Sequence, residues 1–501
     1  MSNRTASLLL IGLALCISPR LYACGETAPA GSLDLTRATL ADLRGALDAK
    51  KITSVELVRG YLTRIDQCNP RLHAIIAINE KALSEAAALD RERRAGTLRG
   101  PLHGIPVVLK DNIDLAGAVT TAGSLALAGN LRSRNAPLVD RLEAAGAIVI
   151  AKTNLSEWAN IRSRWSSSGW SAIGGLTVNA RDPQRSACGS SAGSAVSIAA
   201  HLAPLAVGTE TNGSIVCPAS VNGVVGLKPT VGLIPGEGIV PISHSQDTAG
   251  PMTASVRDAA MLLEAMVDPK RAGTNYSGTL KPNALKGARL GVARFIQGFS
   301  PDTGKTFDAA LAVLKAQGAE LVEIEQFDLG PIRELQLPIL LTEFKAGLNA
   351  YLATAPAAVT TRTLADLIAF NRTEKREMSW FGQDLFEQAQ TTAGLGDPAY
   401  LQGLQKARAL AGPEGIDRLL AAHKVIALIA PTSGPAWSID LVNGDRAVGS
   451  ASLLAAVAGY PHLTVPMGEV AGLPVGLSFI GPAWSEQTLL SLGYAFEQAR
   501  R

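Results

Sequence analysis

An α/β fold, a single large domain on a mixed, largely parallel central sheet covered by helices, is predicted by three features of the sequence. Short apolar runs that read as buried strands alternate with Ala-rich stretches of helical spacing from about residue 100 onward. Gly fills 49 of 501 positions, enough to punctuate many short elements. Hydrophobic residues make up 47% and charged residues 18%, which supplies a large core and excludes a disordered chain. The 46 Lys and Arg against 43 Asp and Glu leave a net charge of +3, spread along the chain, so no nucleic-acid partner is expected.

The chain opens with Arg4 and an apolar stretch from Ala6 to Ile17, followed by Ser18, Pro19 and small residues. A basic start, a short apolar centre and a small-residue exit describe a secretory leader, expected over residues 1–30. The stretch is shorter than the roughly 20 residues a membrane-spanning helix needs. Export to the periplasm or the medium is therefore expected. Leu21-Tyr22-Ala23-Cys24 is similar to a lipoprotein cleavage box, which makes lipid attachment at Cys24 a second route. Residues 31–501 form the domain.

That domain begins with helices. Thr53-Ser54-Val55-Glu56 is a capping box, and Val55, Val58, Leu62 and Ile65 follow at helical spacing. Ile105–Leu109 and Ala147–Ala151 read as buried strands with a helix around Val139–Ala145 between them. Further strands are expected at Leu205–Gly208, Val224–Leu227, Leu290–Val292, Val425–Ala430, Leu463–Val465 and Val475–Ile480. Residues 330–422 lack this alternation and read as a helical insertion, either the wall of a pocket or plain packing. No internal repeat, low-complexity segment or linker divides the chain.

Of five Cys, Cys16 belongs to the leader, and Cys68, Cys188 and Cys217 are an odd count with no C-x-x-C spacing. They read as small buried thiols, with neither a disulfide framework nor a zinc site. No metal or cofactor is expected.

The unusual chemistry lies between residues 186 and 214. Ser186–Ser194 and Thr209–Ile215 are Gly/Ser-rich loops on either side of an apolar helix (Ala195–Ala203) and a strand. Such loops let backbone N–H groups turn toward a ligand. A phosphate cradle requires glycine-rich motifs that do not occur here. Gly189-Ser190-Ser191-Ala192-Gly193 fits the Gly-x-Ser-x-Gly elbow with Ser191 as nucleophile, but a polar loop with Pro183 leads into it where that motif needs a strand. None of the six His sits in a catalytic signature. A Lys on apolar ground is the remaining nitrogen base, and Lys110, Lys152 and Lys228, each ending an apolar run, are equivalent by pattern.

At these residues the sequence resembles the amidase signature family. His103–Asp114, Ala151–Ala159, Cys188–Ser194, Gly208–Ser214, Gly226–Gly232, Ser245–Pro251, Gly459–Pro466 and Gly472–Leu477 are similar to its blocks, in order. Outside them, Asn154–Asn160, Glu343–Leu348, Leu364–Asn371 and Leu410–Ile416 resemble the branch that removes the C-terminal amide of peptides. The resemblance implies an amidase that releases ammonia from a peptide or small-molecule amide, as a monomer with no obligate protein partner. It implies a catalytic triad of Ser214 as nucleophile, Ser190 after a cis bond from Gly189, and Lys110 as base. It also implies an oxyanion hole from the backbone N–H groups of Thr211, Asn212, Gly213 and Ser214, with Gly189, Ser191 and Asn154 binding substrate or supporting the loops. Asn212 departs from the pattern, since the family frequently has an acidic residue there. For Lys110 to accept a proton at neutral pH, burial must lower its pKa from about 10.4 to around 7. The competing readings are another amide hydrolase of the family, the glutaminase component of a tRNA-dependent amidotransferase, and a non-catalytic exported peptide-binding protein.

Overall fold

The computed structural model describes residues 33–268 and 275–500, so the expected leader and Cys24 lie outside the described residues. Its strands in chain order are β1 (Ile75–Ile78), β2 (Pro106–Lys110), β3 (Ile148–Thr153), β4 (Trp170–Ser171), β5 (Gly175–Leu176), β6 (Leu205–Glu210) and β7 (Val225–Lys228). They continue with β8 (Thr248–Thr253), β9 (Arg289–Ala293), β10 (Glu320–Ile324), β11 (Ala427–Pro431), β12 (His462–Val470) and β13 (Leu473–Ile480). All but the small β4–β5 hairpin join one 11-stranded sheet, in the order β1-β3-β2-β6-β8-β7-β12-β13-β11-β9-β10.

The sheet is mixed. Its parallel pairs fall into two runs, β3-β2-β6 and β11-β9-β10. The strands between those runs, and β1 at one edge, pair antiparallel. β2, β3, β6 and β7 are buried along their whole length, which is why they read as continuous apolar runs. The strands that the sequence pattern passed over are of two kinds. β1 and β10 are edge strands, partly exposed, and Glu320 and Glu323 give β10 the charge typical of an edge. β8 is central but reads as a turn because it contains Gly250 and Pro251. Gly250 is needed there, since a Cβ would lie 2.1 Å from the Leu227 carbonyl oxygen on β7.

The capped helix Ser54–Leu72 is formed as expected. The helical insertion is also present, as helices from Gly330–Ala353 to Arg418–His423. It is held to the rest of the domain by a shared core, in which Phe344 stacks on Phe386 at 5.2 Å and Trp158 of the main body meets Phe386 edge-on at 6.0 Å. Beside that core, wholly buried Arg162 pairs with Glu157 and with Glu377 of the insertion.

The cysteine expectation is overturned. Cys188 and Cys217 form a disulfide with Cα atoms 6.1 Å apart, and Cys68 is disulfide-bonded as well. The 29-residue separation carries no local signal, because the two cysteines meet only after the chain returns through β6.

The helix after the first Gly/Ser loop spans Ala192–Ala199, beginning earlier than its apolar stretch suggests, and its first seven residues are buried. It lies so close to the sheet that a Cβ at Gly193 would meet the Ala74 oxygen at 2.2 Å and the Asn154 oxygen and nitrogen at 2.5 and 2.7 Å. These are backbone atoms and cannot step aside. Gly193→Ala is therefore expected to cost about 2–3 kcal/mol despite the better helix propensity of Ala. An unchanged denaturant midpoint would refute this packing.

Candidate active site

Lys110, Lys152 and Lys228 end β2, fall near the end of β3 and end β7, and all three are buried, so burial does not separate them. Their partners do. Lys152 Nζ is ion-paired with Asp111 at 2.7 Å. Lys228 Nζ donates to the Pro229 carbonyl at 3.1 Å. Lys110 Nζ instead donates to Ser190 Oγ at 2.7 Å, to Thr209 Oγ1 at 2.9 Å and to the Thr209 carbonyl at 3.2 Å. With hydroxyls for neighbours, burial pushes the Lys110 amine down to about 7, against the opposing pull of the Asp247 and Glu210 charges. Burial lowers Lys228 as well, to about 8, but its amine donates to a backbone carbonyl, whereas the Lys110 amine lies against a serine hydroxyl with which it can exchange a proton near neutrality. His462 Nε2 does contact a serine, Ser478 Oγ at 2.6 Å, but both are wholly buried, and burial holds the imidazole at about 3.

The two serine loops meet above the carboxyl ends of β2, β3 and β6, where ligands bind in open α/β sheets. The Gly189–Ser190 peptide bond is cis. Gly189 has no room for a side chain, since a Cβ would lie 2.1 Å from Ser156 Oγ. Ser191 ties this loop to β6 by donating to the Thr209 carbonyl at 3.0 Å and accepting from its N–H at 3.1 Å. Its hydroxyl is thus occupied. The Ser191 N–H donates to the Ser214 carbonyl at 3.1 Å, which sets the two loops side by side. The structure therefore brings Lys110 onto Ser190 and Ser190 beside the Ser214 loop. Among the described residues the Ser214 hydroxyl itself makes no hydrogen bond.

After β6 the chain turns through Thr211, Asn212, Gly213 and Ser214, with Gly213 at φ +85°, a left-handed conformation that suits glycine. Among the described residues none of these four N–H groups donates a hydrogen bond. The next two, of Ile215 and Val216, are both taken by Glu210 Oε2 at 2.7 and 3.0 Å. A row of unspent donors beside a hydroxyl is what a developing oxyanion requires. Asn154 is wholly buried away from this row. Its amide donates to Thr177 Oγ1 at 3.0 Å and accepts from Ser171 Oγ at 2.7 Å, so it supports the loop under the site.

Sequence reasoning missed Thr209, Glu210, Asp247 and Gln336. Asp247 accepts from Thr211 Oγ1 at 2.5 Å and from the Ile242 and Ser243 N–H groups, while burial raises its carboxyl to about 6. Thr209, Glu210 and Asp247 lie inside the quoted blocks, so their positions were visible and their partners were not. Beside them opens a cavity of about 340 Å³, with Asn112, Thr209 and Thr211 on its polar side and Ile234, Val240 and Ile242 on its apolar side. No residue of the insertion lines it. The insertion instead reaches the loop through Gln336, whose Oε1 accepts from Asn212 Nδ2 at 3.1 Å. Among the described residues no group of three or more His, Cys, Asp or Glu could hold a metal ion.

The model of the amidase family matches residues 56–490. The chain belongs to that family. It is an amide-hydrolysing enzyme. The peptide amidase of Stenotrophomonas maltophilia is similar at 51% identity and a TM-score of 0.87, over 92% of this chain and 96% of that one. A peptide amidase bound to the competitive inhibitor chymostatin is similar at 51% identity and 0.88, over 92% and 97%. A probable amidase of Arabidopsis thaliana is 37% identical over 98% of this chain and 95% of its own.

Against this amidase background Asn212 has a local explanation. Its side chain donates to Gln336 and accepts from Ser452 Oγ at 2.6 Å, and a carboxylate, which only accepts, cannot do both. Asn212→Asp would set a carboxylate oxygen against Gln336 Oε1. The expected result is a fall in kcat of about fivefold, near 1 kcal/mol, with KM little changed. Steady-state kinetics of the variant check this, and an unaltered kcat would remove Asn212 from loop support.

Proposed function

We propose that this amidase hydrolyses the C-terminal carboxamide of peptides, releasing ammonia and leaving internal peptide bonds intact. The observation that carries the reading is the buried Lys110–Ser190 hydrogen bond beside the Ser214 loop, in a chain 51% identical to a peptide amidase. In the proposed cycle, the neutral Lys110 amine gives up its donation to Ser190 and turns its lone pair to the Ser190 hydroxyl along the same 2.7 Å contact. Ser214 Oγ attacks the amide carbon as its proton passes to Ser190 Oγ, whose own proton goes to Lys110 Nζ. The tetrahedral oxyanion is held by the N–H groups of residues 211–214. Its collapse breaks the C–N bond, and the proton returns from Lys110 through Ser190 to the leaving nitrogen, giving ammonia and an acyl-Ser214. Water then attacks the ester by the same relay, releasing the free acid and restoring Ser214.

The cavity's apolar side suits the side chain of the residue that bears the amide. Every group invoked comes from one chain, so we assign no protein partner to the cycle. Export fits the apolar leader pattern and the Cys188–Cys217 disulfide, which persists in oxidising compartments.

Mass spectrometry of matched peptide amides, free acids and N-capped amides tests the substrate. Each amide is expected to convert to its acid with one equivalent of ammonia, and cleavage at internal bonds would overturn the reading. Ser214→Ala should abolish turnover with folding intact, whereas an acyl group trapped on another residue would displace Ser214 as nucleophile.

The pH dependence follows from Lys110. Its neutral form is the active one, so kcat/KM is expected to rise with pH through a midpoint near 7 as the amine loses its proton. Lys110→Ala should remove that limb and lower kcat by about 10²–10⁴. Substantial activity with the same acid limb in the alanine variant would exclude Lys110 as base.

A further inference from the structure

We infer that the Cys188–Cys217 disulfide is a positioning crosslink for catalysis, holding the Ser190 loop at working distance from Ser214, so that the enzyme is fully active only with this bond oxidised. The inference rests on the proposed roles of Ser190 and Ser214.

Cys188 lies two residues before Ser190, and Cys217 lies three after Ser214, in the helix Val216–Asn222. Hydrogen bonds also join these segments: Ser191 N–H to the Ser214 carbonyl at 3.1 Å, Ser191 Oγ with the Thr209 carbonyl and N–H, and Asn222 Nδ2 to the Ala187 carbonyl at 2.9 Å, while Asn179 Nδ2 bridges the Ser186 and Val221 carbonyls. Each loop is anchored separately at its far side. Ser186 N–H donates to the Trp437 carbonyl at 2.8 Å, and Ser156 N–H donates to the Ser190 carbonyl at 3.1 Å. Glu210 holds the Ile215 and Val216 N–H groups on the other loop. Among the described residues the disulfide is thus the one covalent crosslink between the two loops, which are otherwise joined by hydrogen bonds, and across this gap the proton must pass between two hydroxyls. Such a transfer is steeply sensitive to displacement.

Cys188 also stands at φ +55°, a left-handed conformation that an L residue adopts only when its surroundings impose it. The disulfide packs against Val221, Ala436 and Trp437, with Cys188 buried and Cys217 partly exposed, so a small reductant can reach it. Reduction by a dithiol adds two electrons and two protons, turning the S–S bond into two thiols while the dithiol leaves as its cyclic disulfide.

The test compares oxidised and dithiol-reduced enzyme with a Cys188→Ser/Cys217→Ser double variant, on a peptide amide, well below the unfolding midpoint. Reduction is expected to lower kcat at least tenfold with KM within twofold, and reoxidation to restore it. The double variant should be slow from the outset and indifferent to reductant, which separates this bond from the one at Cys68. Should the double variant fail to fold, mass-mapped thiol labelling of partly reduced wild type relates loss of activity to labelling at 188 and 217. A kcat within twofold of the oxidised enzyme, in the folded double variant or in wild type labelled at both cysteines, would overturn the inference even if the unfolding midpoint fell. Oxidised wild type that hydrolyses no peptide amide would instead defeat the proposed function.

Discussion

The site depends on keeping one lysine dry. Lys110 ends a strand buried along its length, between two parallel neighbours, and its amine meets two hydroxyls and a carbonyl. Burial favours the neutral amine; the carboxylates of Glu210 and Asp247 restrain that shift without touching Nζ. A contacting carboxylate, like the one Asp111 presents to Lys152, would turn the same buried amine into half of an ion pair. The difference between the ion-paired Lys152 and the hydroxyl-facing Lys110 is thus a matter of which oxygen lies 2.7 Å away.

The second constraint is the meeting of two loops that are remote from each other along the chain. β6 separates them, yet Ser191 binds both β6 and the backbone of Ser214, so one residue fixes the height of the first loop and its distance from the second. Glu210 acts on the opposite side. It takes the N–H groups of Ile215 and Val216, while among the described residues the preceding four N–H groups donate no hydrogen bond. Strand ends, loop glycines and a capping acid together leave donors unspent on the Ser214 loop, as the proposed cycle requires.

The helical insertion plays a modest part. Its aromatic residues Phe344 and Phe386 pack in a core shared with Trp158, Val240 and Ile242 of the main body, and it touches the Ser214 loop through the amide of Gln336. Of the two readings its composition allowed, packing describes it better than a wall around the main cavity, although Tyr351 lines a neighbouring cavity of about 710 Å³. Asn212 belongs to this contact, which gives a physical reason for an amide at this position.

What the sequence determined by itself was whatever depends on local pattern. Buried strands such as β2 and β3 announce themselves as unbroken apolar runs, the capping box at Thr53–Glu56 marks a helix start, and ordered blocks carried the family and the positions of Lys110, Ser190 and Ser214. Only the tertiary structure distinguishes the surroundings of three lysines of equal pattern, because the hydroxyls beside Lys110 and the carboxylate beside Lys152 come from segments remote in the chain. It alone paired Cys188 with Cys217, placed the turn-like segment Thr248–Thr253 in the middle of the sheet, and set Asn212 against Gln336. Those facts concern distances between residues far apart in the chain. Periodicity and spacing carry no such distances, since they record only what each segment needs from its immediate neighbours.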